Sequence, residues 1–200
     1  VGGYTTSTTE VNDGGTDYFT RTDGSDIGSV NYTPSGFFFA AQDIDGDGAP
    51  NPSSLTWTVD ITGATALSFY LNVAEDDEGS NQDWDSTDFV HIFYTIDTDP
   101  EQNLIWFEND GTTFNAAPLL DTDFDGNGDS TEVTNSFANF SNTIAGTGSS
   151  LAIRVEFSLN SGDEDFAIDD LVVEGTVVPE PSSSALLGLG GLALILRRRK

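Results

Sequence analysis

The chain has 200 residues, with no cysteine, 34 acidic against six basic residues and a formal net charge of −28. Lack of cysteine excludes disulfides, zinc–thiolate sites and thiol nucleophiles. Four of the six basic residues close the chain, so residues 1–196 keep only Arg21 and Arg154 and carry −32, a charge that repels nucleic acid and anionic headgroups and attracts cations.

Val1 opens the chain with no apolar segment near it, as expected where an export signal has been removed, or of a fragment. Residues 1–35 are rich in Thr, Gly and Asp and hold one candidate edge strand near Tyr18-Phe19-Thr20. Beyond them apolar residues alternate with polar ones: Leu55, Trp57, Val59 and Ile61; Leu67, Phe69, Leu71 and Val73; Val90, Ile92, Tyr94 and Ile96; Ile153, Val155, Phe157 and Leu159; then Phe166–Val173. A period of two marks half-buried strands. Asp23-Gly24, Thr62-Gly63, Asn109-Asp110-Gly111 and Ser161-Gly162 supply turns between them. The expected fold is all-β, a jelly-roll-like β-sandwich of about eight to ten strands, occupying residues 1–175 and followed by a short C-terminal hydrophobic helix.

Acidic residues cluster in three places. Asp43, Asp45 and Asp47 precede Gly48 and repeat the first half of a calcium-loop pattern. Ser54 stands where a bidentate Glu would close it, so Asn51 or a distant carboxylate would complete any shell. The run Glu75-Asp76-Asp77-Glu78 with Asp83, Asp85 and Asp88 costs repulsion unless solvated or metal-bound, and reads as a solvated loop before a metal-bound one. Asp121-Thr-Asp123-Phe-Asp125-Gly126-Asn127-Gly-Asp129-Ser-Thr-Glu132 is the sharpest motif. It has acids at positions 1, 3, 5 and 9, the bend-permitting Gly at 6 and Glu at 12. Asn127 would lend its backbone carbonyl. This resembles an EF-hand loop without its helices, because neither Pro118-Leu119-Leu120 nor Val133-Thr134-Asn135 is helical. A calcium site and a solvated acidic hairpin loop both remain open.

Little supports catalysis. His91 is the one histidine, and its place on a strand face with Phe89 and Phe93 suits a structural role. No serine lies in a nucleophile elbow, and acids are too abundant for any one carboxylate pair to signify glycoside hydrolysis. Trp57 keeps phase with Leu55 and Val59 and reads as core. Trp84 and Trp106 are the candidates for stacking on sugar rings.

The tail has its own grammar. Thr176–Ser184 forms a linker containing Val178, Pro179, Glu180 and Pro181; an apolar run from Ala185 to Leu196 follows, then Arg197, Arg198, Arg199 and Lys200. Twelve helical residues reach about 18 Å, short of a hydrocarbon core of about 30 Å. Gly188, Gly190 and Gly191 weaken the helix, and the basic end suits the cytoplasmic side. The segment therefore reads as a transient span and a stop. This order of parts resembles the PEP-CTERM sorting signal of Gram-negative bacteria. The resemblance implies export, transient inner-membrane anchoring, processing by an exosortase-type enzyme, and residence at the cell surface or in the extracellular matrix of biofilm-forming cells.

The body is similar to the calcium-stabilised jelly-roll modules of secreted bacterial proteins. The likeness rests on Gly36-Phe37-Phe38-Phe39-Ala40-Ala41, on Trp84-Asp85 with Asp88, and on Phe166-Ala167-Ile168-Asp169-Asp170-Leu171; it implies that Asp169 or Asp170 helps hold an ion. The expectation is an exported, non-enzymatic protein that binds or structures exopolysaccharide. The alternatives are a secreted polysaccharide hydrolase or its carbohydrate-binding accessory module, and a passive acidic coat.

Overall fold

The structure, a computed structural model, describes residues 2–28, 36–46, 48–76, 84–112, 114 and 116–177. Twelve strands follow one another: β1 Thr5–Thr6, β2 Val11–Asn12, β3 Tyr18–Thr22, β4 Phe38–Gln42, β5 Ser53–Asp60, β6 Ala64–Ala74, β7 Phe89–Ile96, β8 Gln102–Glu108, β9 Leu119–Asp121, β10 Ala138–Ile144, β11 Ser150–Ser158 and β12 Asp165–Val177. They form two six-stranded antiparallel sheets, ordered β1-β5-β11-β7-β8-β9 and β10-β6-β12-β4-β3-β2. Among the described residues no helix is long and apolar enough to cross a membrane. The expected helix at 185–196 lies outside them, as do Asp47 and the tail residues Val178, Pro179, Glu180, Pro181, Arg197, Arg198 and Arg199.

Alternation sorts the side chains. Leu55 and Trp57 on β5, Val90, Ile92 and Ile96 on β7, and Leu151, Ile153, Val155 and Phe157 on β11 are buried in one core with Leu67, Phe69, Leu71 and Val73 of β6 and Phe166 and Ile168 of β12. The first group belongs to one sheet and the second to the other, so the core is the layer between them. Each such side chain contributes about 1.5–3 kcal/mol by leaving water. Trp57 is core, as expected, and its Nε1 donates to the Gly2 carbonyl at 2.9 Å. A smaller cluster of Tyr18, Ile27, Phe38, Ala40, Ala74 and Ala167 covers the outer side of the second sheet. β3 is not the edge expected of Tyr18-Phe19-Thr20, because β2 pairs outside it.

The strand directions collect the connections into two sets. Among the described residues, the connections 13–17, 43–46, 48–52, 75–76, 84–88, 109–112, 116–118, 122–137 and 159–164 lie at one end of the sandwich. The opposite end holds the short turns 61–63, 97–101 and 145–149. The described members of all three acidic clusters therefore share one end. β12 runs from that end to the other, bent by register shifts between Asp169 and Val172 and between Glu174 and Thr176. It pairs Thr176 with Thr65 and Val177 with Ala64, two residues into the expected linker.

Candidate functional site

The 121–132 loop is organised by a buried carboxylate. Asp121 ends β9 and is 1% exposed. Its Oδ1 accepts from the Asp123 and Phe124 amides at 3.1 and 2.7 Å, and its Oδ2 accepts from the Gly126 amide at 3.0 Å. The chain thus winds round Asp121, with Gly126 at φ 87° and Phe124 at φ 61°; the left-handed conformation is cheap for glycine and strained for phenylalanine. Asp121, Asp123 and Asp125 bring ligand oxygens within 4.8 Å of one another. Their mutual repulsion, led by Asp125 on Asp123, holds the Asp123 carboxyl above its ordinary value.

The other expected ligands lie outside that trio. Asp129 accepts from the Thr122 amide at 3.0 Å and from its hydroxyl, and Asn127 donates its amide to Asp125 at 3.0 Å. Glu132 is exposed, in a bridge with Leu119. Hard oxygen donors in this spacing suit a hard divalent cation.

The 43–48 loop gains a partner that spacing does not reveal. Burial foremost, then the charge of Asp17 from the connection between β2 and β3 and that of Asp45, raises the Asp43 carboxyl. A side chain at Gly46 would strike this pair, its Cβ falling 2.6 Å from an Asp17 oxygen and 2.8 Å from Asp43 Cγ. Asn51 instead accepts from the Leu159 amide at 3.3 Å. The expected solvated loop is partly sunk: Glu75, Asp76 and Asp88 are buried, with Glu164 and Asp165 beside β12. Asp165 accepts from the Asp76 amide at 2.9 Å. Burial foremost, with the neighbouring Glu164 charge, pushes the Asp88 carboxyl up to about 8, and burial also raises Glu164. On β12, Asp170 accepts from Asn72 at 3.0 Å on an exposed bulge.

The outer face of the first sheet carries aromatic rings. His91 and Trp106 are register partners, and their rings stack at 3.8 Å and 15°. Phe89, two residues back on the same face, stacks on the other side of His91 at 4.1 Å. Phe93 and Phe124 meet Trp106 edge to face at 5.9 and 5.4 Å, so the acidic loop adds a ring to the row. His91 Nε2 donates to the Glu108 carboxylate. Arg154 lies over Phe93 at 4.4 Å and is gripped by Glu101 at 2.9 and 2.7 Å and by Glu156. Phe89, His91, Phe93, Trp106, Phe124 and Arg154 are each partly exposed. Trp84 is fully buried beside Phe166 and offers no face to a sugar. That expectation is corrected; the core claims Trp84, while Trp106 stays at the surface.

Residues 177–200 match the family model of the PEP-CTERM protein-sorting motif. The chain carries a PEP-CTERM sorting motif. The match contains every tail residue singled out from the sequence, and the PEP-CTERM motif marks the chain as an exported, sorted protein. No curated protein matches the sequence. Among solved structures, the enzymatically active domain of tailspike protein 4 from bacteriophage CBA120 is 12% identical, at a TM-score of 0.44, over 87% of this chain. This chain spans only 19% of that one. The K2 cleaved adhesin domain of Lys-gingipain is 13% identical over 88% of this chain and 90% of its own, at a TM-score of 0.42. A carbohydrate-binding module of the beta-sandwich superfamily is 10% identical over 87% and 58%, at 0.41. None of these values supports a transfer of function.

Proposed function

We propose that this chain is an exported surface or matrix protein whose jelly-roll sandwich binds exopolysaccharide without cleaving it. The order β4-β12-β6-β10 facing β5-β11-β7-β8 supports the jelly-roll reading. The observation that carries the binding reading is the row of partly exposed rings, Phe89, His91, Phe93, Trp106 and Phe124, on one outer face. Aromatic rings take up the apolar C–H surface of sugars, and polar neighbours orient hydroxyls. Arg154, Glu101 and Glu156 border the row and supply such groups.

Calcium stabilises the loop end in this reading. Asp121, Asp123 and Asp125 would hold it, with the Asp43, Asp45 and Asp47 loop as a second candidate. Bound there, the cation neutralises carboxylates that otherwise repel. A non-catalytic role fits His91, since its ring is held between Phe89 and Trp106 and its Nε2 is committed to Glu108. The tail would be processed by an exosortase-type enzyme at the inner membrane of a Gram-negative, biofilm-forming bacterium.

The test is an array of neutral and acidic bacterial exopolysaccharides probed with the full chain. Binding is expected, weakened about threefold to tenfold in Trp106→Ala by loss of a ring contact. Silence across the array would return the chain to a passive acidic coat. Glycan cleavage that disappears in one carboxylate variant would make it a hydrolase.

A further inference from the structure

Two carboxyl groups meet at the loop end, with no lysine among the described residues to accompany them. Asp88, fully buried, immediately precedes β7, and Glu164, 3% exposed, immediately precedes β12. One asparagine serves both. The Asn160 amide donates to Glu164 Oε2, and Asn160 Nδ2 donates to Asp88 Oδ1 at 3.4 Å. Asp88 Oδ2 also accepts from the Asp85 amide at 2.5 Å, and Glu164 Oε2 from the Ser161 amide at 2.8 Å. Asn160 thus joins the two buried carboxyls, and each acts on the other's titration. Ionised carboxylates only accept, so a direct bond between the two would need a proton on one of them.

The charged surroundings offer no substitute for that proton. Asp85, on the turn that leads into Asp88, acts on both groups. Glu75, Asp76 and Asp165 are buried at the same end. The described residues hold two arginines and no lysine. Arg21 lies over Phe37 and Arg154 over Phe93, and His91 is bonded to Glu108. Two like charges in one dry site resist joint ionisation.

We propose that Asp88 and Glu164 share a single proton, which latches the start of β7 to the connection before β12 and releases it in alkaline solution. The latch fixes Phe89 too, because it follows Asp88 directly and begins the ring stack. The sign follows from linkage. With the Asp88 carboxyl raised to about 8, the folded chain keeps a proton that the unfolded chain gives up in the ordinary carboxylate range. The stabilisation is complete below that range and drains away as pH rises through about 8.

Thermal melts of the full chain in calcium-free buffer, from pH 5 to pH 9, test this. The wild-type midpoint should fall across the range by several degrees more than that of Asp88→Asn, whose amide imitates the protonated acid and cannot ionise. Comparison with the variant subtracts every other titrating group. Parallel profiles would overturn the proposal, and Glu164→Gln serves if Asp88→Asn does not fold. A readout on the wild type alone is infrared absorption by a protonated carboxylic acid. It should be present at pH 7 and gone at pH 9, and its absence at pH 7 would be equally fatal. If millimolar calcium erases the wild-type slope, a cation and not a proton joins the pair, and the latch is wrong.

Discussion

The two ends of the sandwich use aspartate in opposite ways. At the turn end, Asp97 is exposed and accepts from the Ser149 amide and hydroxyl at 3.1 and 2.8 Å and from the Ser150 amide at 2.9 Å. Asp60 accepts from the Thr62 amide at 2.9 Å. These bonds favour the charged form and hold both carboxyls below their ordinary value. At the loop end Asp88 meets no water and another acid, so its carboxyl is raised. The contrast teaches that water and neighbours decide together: Asp60 and Asp97, wet and bonded to amides, cap turns as anions, whereas Asp88, dry and beside another acid, has its carboxyl raised. Net charge alone would have predicted neither.

The largest effect that could break this contrast lies in the 121–132 loop. Replacing the buried Asp121 by Ala removes the acceptor of three backbone amides and should cost about 3 kcal/mol, read by urea denaturation. A loss too small to measure would mean that buried carboxylates do not organise the loop end. Calcium should raise the melting temperature of the wild type more than that of Asp121→Ala; no rise in the wild type would remove the metal from the account. Next in size is the pH slope assigned to Asp88. The smallest effect belongs to Asp97→Ala, a slight destabilisation near neutrality because the site is wet. Its sign with pH is the reverse. The lowered Asp97 carboxyl stabilises above the ordinary carboxylate range and stops doing so as pH falls through its own lowered value, so variant and wild type should converge in strong acid. Divergence there would erase the difference between the ends.

Much of the sandwich was legible because β5, β6, β7 and β11 each bury one face, and alternation records that. Other strands leave no such trace. All five residues of β4 are buried, since Phe38 and Ala40 lie under the outer cluster that includes Ile27. A bulge in β8 puts Leu104 and Ile105 side by side, both buried. On β10, Asn142 occupies the phase of Phe140 and Ile144 and is exposed. The trio Asp121, Asp123 and Asp125 was readable because a local loop writes its ligand spacing into adjacent positions. Asp17 beside Asp43, Glu164 beside Asp88, Glu108 beneath His91 and Phe124 against Trp106 come together through crossovers and register. No local pattern encodes them.

The course of β12 bears on how the molecule stands. Its thirteen residues run roughly 40 Å along the sandwich, from the acidic connections to the end of short turns, and the sorting motif begins where the strand finishes, at Val177. Anything that grips the tail therefore holds the molecule by the end of short turns. The carboxylate-rich loops become the far tip, where cations, polymers or neighbouring cells would be met first.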